Sequence, residues 1–405
     1  MRDEQEEVRR RLTDGRVADI YRATCRSIEE RLGSDGFFPE SVSGGYGHAE
    51  FCRTVGALEA YFTATGEYEK AQRAVGFALE SARRSGVARI PHIAFPVAAD
   101  GSQTFRLDDE VDGTLHVLGA FARLGSEGQL TPEFETEWYP FVRHLLNVVC
   151  DMPYFYYNGQ QPIDIYPHMF PPESMKLVFN CAFEHSREGR RWSCFELLSQ
   201  CFLGGTLEAM AGLADRRGDT ADAAFYRETM TRLREGVAAN MTRETPEGTV
   251  YLEMRLPDGG WGRPFTGMGW PLLSPVAARW QPLAPEVLDR TVALLRKRLW
   301  RRAPHTDGLW YMCTEDDEAG NVTPAIAGKF QAWDMMYSLS RGDFGHILDW
   351  LSFVEAVNAP PLLSENLIPT EEGWQYNDPG NGEQCVWWCW AIACIRRSLG
   401  LPALN

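Results

Sequence analysis

Lysine is nearly missing from this chain of 405 residues: of forty basic residues only Lys70, Lys176, Lys297 and Lys329 are lysine, and thirty-six are arginine. Positive charge is short overall, since the formal net charge is −16. A phosphate backbone or an anionic membrane needs a Lys/Arg footprint, so this balance argues against nucleic acid and membrane partners. No run of eighteen apolar residues occurs, and no membrane-spanning segment is expected. The opening, MRDEQEEVRRRL, lacks the apolar stretch of a signal peptide. Ten cysteines include no Cys-x-x-Cys and sit in apolar context, which fits free thiols in a reducing cytoplasm better than a disulfide framework. The sequons at Asn240 and Asn321 then carry no meaning. The chain also has no Gly-x-x-x-x-Gly-Lys-Ser/Thr, no Gly-x-Ser-x-Gly and no His-x-x-x-His. Nucleotide, serine-hydrolase and zinc chemistry therefore lack their usual motifs, and neither a metal nor an organic cofactor is expected.

What is present is helix. Apolar residues recur at three- and four-residue spacing over about twelve stretches, which predicts amphipathic helices. Read coarsely they cover 16–32, 48–65, 67–84, 108–124, 133–150, 192–217, 221–241, 267–277, 285–300, 330–341, 344–358 and 385–399. Several should stop at Gly33, Gly66, Gly125 and Gly218, where a left-handed residue closes a helix. Strand-like segments are short: Thr249-Val250-Tyr251-Leu252 and Leu309-Trp310-Tyr311-Met312. No linker divides the chain, so one domain over 1–405 is expected. A dozen helices in that length suggests an all-α (α/α)6 toroid, six helical hairpins with long loops at one end. The connections 86–107, 151–182, 242–266, 301–329 and 359–384 would build the site, as loops on a rigid scaffold commonly do. An α-solenoid would explain the helices equally, but not such long aromatic loops.

Two acidic segments stand out. One is Phe183-Glu184-His185-Ser186-Arg187-Glu188-Gly189-Arg190-Arg191-Trp192, ahead of an apolar run. The other is Leu363-Ser364-Glu365-Asn366, followed by a Gly/Pro-rich spacer and Trp387-Trp388. The Ser-Glu, spacer and Trp pattern resembles the catalytic-base segment of the glucoamylase-like six-hairpin glycosidases, a group that includes processing α-glucosidases and mannosylglycerate hydrolases. The Glu184 segment resembles the acid segment of that group, with Phe-Glu in place of the usual Trp-Glu; Glu188 and Glu196 are the alternative acids, Glu196 reading as structural inside a helical run. The segment Gly44-Gly45-Tyr46-Gly47-His48-Ala49-Glu50-Phe51-Cys52-Arg53-Thr54 resembles the loop that enters an inner helix with an Arg-Asp pair. Here Thr54 stands where the Asp is expected, and Glu50 is the substitute acceptor or, in the plainer reading, the ion-pair partner of Arg53. Asp108-Asp109-Glu110-Val111-Asp112-Gly113 resembles the acidic entry to the next inner helix, with Asp112 the candidate ligand of sugar hydroxyls.

The resemblance implies an exo-acting, inverting glycoside hydrolase on a small, α-linked glucoside or mannoside or a glycosylated metabolite. Glu184 would be the general acid and Glu365 the general base, with carboxyls roughly 6.5–9.5 Å apart to admit a water. Tyr46, His48, Glu50, Arg53 and Asp112 would line the sugar site. Trp261, Trp270, Trp310, Trp333, Trp374 and Trp387 offer aromatic faces, although any one Trp is more often core. The expected partner is a small carbohydrate, and assembly with further copies of the chain stays open. The alternatives are a sugar isomerase or 2-epimerase using His48, His168, His185 and His346, a uronate lyase, and a non-catalytic sugar-binding helical scaffold.

Overall fold

The computed structural model describes residues 2–42, 47, 49–84, 97–100, 111–151, 174–178, 180–183, 192–255, 269–313, 315–316, 322–323, 328–358 and 362–402. In chain order the helices are α1 (Arg2–Thr13), α2 (Arg16–Arg31), α3 (Cys52–Thr65), α4 (Tyr68–Arg84), α5 (Val111–Ser126) and α6 (Pro132–Asp151). They continue with α7 (Leu197–Arg217), α8 (Thr220–Asn240), α9 (Ser274–Ala277), α10 (Pro285–Leu299), α11 (Gly328–Arg341), α12 (Phe344–Val357) and α13 (Gly382–Ser398). A 3-10 turn, Trp270–Leu273, leads into α9.

Burial sorts these helices into two rings. In α3 every residue from Cys52 to Phe62 is buried, and α7 and α13 are buried over most of their length. A helix that hides its whole circumference belongs inside. By contrast α4 buries Ala71, Ala74, Val75, Ala78, Leu79 and Ala82, the single stripe of an outer helix. The inner helices contact one another in the order α3, α5, α7, the 270–277 segment, α11 and α13, and α13 returns to α3. Outer helices α2, α4, α6, α8, α10 and α12 each lie against an inner one, so the chain winds an (α/α)6 toroid as expected. One helix among the described residues, α7, is long and apolar enough to cross a membrane, but it is buried inside the ring.

The boundaries depart from the periodicity in instructive places. Residues 192–196 are a strand, because Trp192–Glu196 pairs with Asn180–Phe183 on one side and Met254–Arg255 on the other. Gly66 and Gly218 do close helices in the left-handed region, both at φ +82°, which favours glycine. Gly125 instead lies inside α5, and α2 ends one residue before Leu32 without a left-handed cap. Helix α1 has no expected counterpart, since it buries only Val8 and Leu12 and is otherwise charged. It is fastened by its arginines: Arg9 donates to the Leu399 carbonyl, and Arg11 to Ser352 and Glu355 on α12. Within 359–384, read as loop, Ser364–Pro369 and Trp374–Pro379 form a hairpin.

Short strands precede three inner helices: Ala49–Glu50 before α3, Trp192–Glu196 before α7, and Trp374–Pro379 before α13. They gather at the end where the inner helices begin. There Glu40 joins the last inner helix to the first. Its Oε1 accepts the Glu383 N–H at 2.9 Å, its backbone oxygen accepts the Gly382 N–H, and its Oε2 accepts the Thr54 hydroxyl at 2.6 Å. Burial pushes this carboxyl up to about 8 from 4.5. Tight approach elsewhere in the ring relies on glycine. A Cβ on Gly204 of α7 would fall inside the ring of Trp280, which follows α9.

Two outcomes follow from this packing. Gly204→Ala must displace an indole held in the core, and should lower stability by about 1–3 kcal/mol in urea unfolding. Glu40 holds a proton that the unfolded chain releases above pH 4.5, so its contribution to stability falls as pH rises from about 4.5 to 8. The isosteric Glu40→Gln change should therefore leave stability near pH 5 little altered and gain on wild type towards pH 8. Urea midpoints across that range would check it; a pH-independent difference would mean that Glu40 is ionised throughout.

Candidate active site

The first turns of four inner helices each carry a buried charge, and the signs alternate around the ring. Arg53 opens α3, Asp112 opens α5, Lys329 opens α11 and Glu383 opens α13. An anion at a helix N-terminus is favoured by the exposed N–H groups, and a cation there is not. The cations are held by their neighbours. Arg53 Nε donates to Asp112 Oδ2 at 2.7 Å, and Lys329 Nζ lies 3.1 and 3.2 Å from the two oxygens of Glu383. The Lys329 ammonium also sits 3.8 Å from the centre of the Trp270 ring, a cation–π contact. Burial lowers the Lys329 pKa, with the Glu383 carboxylate opposing that shift. Asp112 Oδ1 is buried and has no hydrogen-bond partner among the described residues. A buried acceptor left open in this way calls for an explanation, and a sugar hydroxyl is one that fits.

Glu365 stands beside this group. It is the second residue of the Ser364–Pro369 strand, next to the pairing of Ser364 with Pro379 that brings the hairpin down to α13. The side chain is half-buried, and burial raises its pKa above the ordinary carboxylate value. Lys329 and Arg53 pull it down, while Asp378 and Glu383 push it up. Asp378 adopts a left-handed conformation at φ +45°, which Asp tolerates better than most residues. Its Oδ2 accepts from Ser41 at 2.7 Å and from Asn381 at 3.1 Å.

The indoles divide into two groups. Trp270, Trp333 and Trp387 are buried in the inner wall in an edge-to-face chain, with centroids 5.6 Å and 5.4 Å apart. The Nε1 atoms of Trp333 and Trp387 have no hydrogen-bond partner among the described residues. Trp310 and Trp374 belong to a different cluster around α12. Trp310 stacks on Trp300, with Arg302 over its face, and Trp374 packs edgewise on Tyr311 and Phe353. The structure therefore does not bring these two to Arg53 and Lys329.

Glu50 is not the ion-pair partner of Arg53, and its Oε1 is buried without a hydrogen-bond partner among the described residues. Its Oε2 accepts the Phe38 N–H at 2.6 Å, and burial beside Glu40 raises its pKa well above the ordinary value. The ion-pair partner of Arg53 is Asp112, on the neighbouring inner helix. Glu196 ends its strand at the N-cap position of α7, fully buried, and its charge reaches Arg53. It thus precedes α7 rather than lying within a helix. Tyr46, His48, Glu184, Glu188, Trp261, His168 and His185 lie outside the described residues. Phe183, just before Glu184, pairs with Trp192 in the strand that leads to α7.

Lys329, Glu383 and Glu40 were not singled out from sequence. A signal existed for Lys329, as one of four lysines in a chain that otherwise uses arginine. His116, on α5, was also missed; burial drives its pKa down to about 3, so the ring is neutral. Gly56 of α3 makes room for it, since a Cβ there would strike the imidazole. Of the isomerase candidates, His346 is engaged on the outer side, 2.6 Å from Asp334 Oδ2, which also accepts from Trp350. Among the described residues no group of three or more His, Cys, Asp and Glu could hold a metal ion.

No protein-family model and no curated protein matches the chain. Solved structures do. A glycosidase, also solved as a glutamate-to-alanine variant in complex with glucose, superposes with a TM-score of 0.66 for the wild type at 14% identity, covering 96% of this chain and 98% of that one. A bacterial glucoamylase complexed with acarbose gives 0.65 at 12% identity, over 95% of this chain and 56% of that one. A GH78 family rhamnosidase of Bacillus sp. GL1 gives 0.59 at 13%, over 95% of this chain and 35% of that one. The chain therefore shares its (α/α)6 toroid fold with a glycosidase and a bacterial glucoamylase.

Proposed function

We propose that the chain is an inverting, exo-acting glycoside hydrolase on a small glucoside, mannoside or glycosylated metabolite. The observation that carries this reading is Glu365, half-buried on the strand that packs against α11 and α13 and within electrostatic reach of Lys329, Glu383 and Arg53. Glu365 acts as the general base. Burial makes it a stronger base than a solvated glutamate, and the charge of Lys329 opposes that rise. It takes a proton from the water that attacks the anomeric carbon. Glu184 acts as the general acid and protonates the departing oxygen. Asp112, aligned by Arg53, accepts a sugar hydroxyl through Oδ1, and Trp270, Trp333 and Trp387 form the wall behind it. The glycosidases with the same fold support the reaction class, and a cytoplasmic location accords with the eight free cysteines among the described residues.

Proton NMR of product from a panel of α- and β-linked disaccharides and glycosyl-glycerates is the direct test. Wild type should release the inverted anomer, and Glu365→Gln should lose at least about a thousandfold in kcat, about 4 kcal/mol of transition-state stabilisation. A free sugar that exchanges its C2 proton with solvent, with no glycoside cleaved, would make the chain an isomerase instead.

The pH profile tests Glu365 separately. Its ionised form is the active one, and the Asp378 charge raises its pKa. Asp378→Asn should therefore move the acid limb of kcat/KM to lower pH. An unmoved limb in a folded variant would remove Glu365 from the role of base.

A further inference from the structure

Well away from Glu365, the outer helix α2 and the far ends of α3 and α13 enclose a cavity of about 780 Å³. Cys25 opens onto it, with Tyr21 and Tyr61 on either side. Behind Cys25 lies Cys389, fully buried in α13, its sulfur 3.8 Å from that of Cys25. Of the cysteines described, Cys52, Cys150, Cys201, Cys313 and Cys385 are buried, and Cys394 is partly exposed. Cys25 thus combines access to a cavity with a second thiol in contact.

We propose that Cys25 and Cys389 are a peroxide-sensitive dithiol that closes to a disulfide between α2 and α13. The Cys25 thiolate attacks one oxygen of hydrogen peroxide; an S–O bond forms, the O–O bond breaks, and hydroxide leaves to become water. Cys389 then attacks the sulfenic sulfur. The S–S bond forms, the S–O bond breaks, and a second water carries away the oxygen and the Cys389 proton. Two thiols lose two electrons and peroxide gains them. The sulfurs must close to about 2.05 Å, a movement of the order of rotamer adjustment on two helices already in contact.

The two thiols have environments suited to these different roles. Hydrogen bonds from Cys389, Tyr61 and Tyr21 lower the Cys25 pKa, which favours the nucleophilic thiolate. Burial raises that of Cys389 well above the ordinary value, so it waits as a thiol that only an oxidised Cys25 can reach. Both tyrosine hydroxyls are pushed up by burial and stay protonated donors. This pair makes no use of the glycosidase reading and stands or falls without it.

The test uses the full chain. It is titrated with hydrogen peroxide, remaining thiols are alkylated, and the protein is digested without reductant for mass spectrometry. The expected result is a Cys25–Cys389 linked peptide, with two of the ten thiols lost before any other reacts, reversed by dithiothreitol. Cys389→Ser should leave Cys25 as a sulfenic acid that dimedone traps, and Cys25→Ser should protect Cys389. Prior consumption of any other cysteine would overturn the proposal. So would over-oxidation of Cys25 in wild type without a cross-link.

Discussion

Charge without water is the constraint that organises this molecule. An ion removed from solvent and left unpaired costs several kcal/mol, so a ring of helices that buries charged residues must match them across every interface. The match here is made at the helix N-termini. Arg53 and Lys329 occupy first turns where the helix dipole repels them, and Asp112 and Glu383 occupy first turns where it attracts them. Each cation is therefore held by the anion of the next inner helix. Glu40 completes the circuit from α13 to α3 by hydrogen bonding rather than by charge. The same contacts that close the ring aim its polar groups at one end.

A second set of buried ions works away from the proposed site and shows what purely structural pairing looks like. Glu59 of α3 accepts from Arg123 of α5 and from Arg279 at Oε2, and from the Thr63 hydroxyl at Oε1. Asp334 of α11 receives Arg296, His346 and Trp350, and opposite charge and donated hydrogen bonds hold its pKa below the ordinary value despite burial. Asp112 differs, because one of its oxygens has no partner among the described residues. Glu365 differs too, being half-buried and raised.

Much of the fold was legible because an inner helix and an outer helix write different patterns. The stripe of α4 and the unbroken burial of α3 both follow from apolar spacing, and the closing glycines at 66 and 218 follow from backbone sterics. Helix α1 was not legible, since its stability comes from arginines reaching residues more than three hundred positions away. The strand at 192–196 was hidden for a similar reason. Its apolar residues continue the pattern of α7, and only its pairing with 180–183 and 254–255 makes it extended.

The sequence by itself determined the helical toroid, the net charge of −16 and the acidic segments around Glu365 and Asp112, because these depend on local spacing and composition. Tertiary structure decided which charges meet. Arg53 and Glu50 are three residues apart and read as a pair, yet Arg53 turns to Asp112 on the next helix while Glu50 secures a loop N–H. Trp374 and Trp387 read alike, yet one packs against an outer helix and the other lines the inner wall. A side chain's partner depends on which helix the closed ring sets beside it, and spacing along the chain carries no record of that.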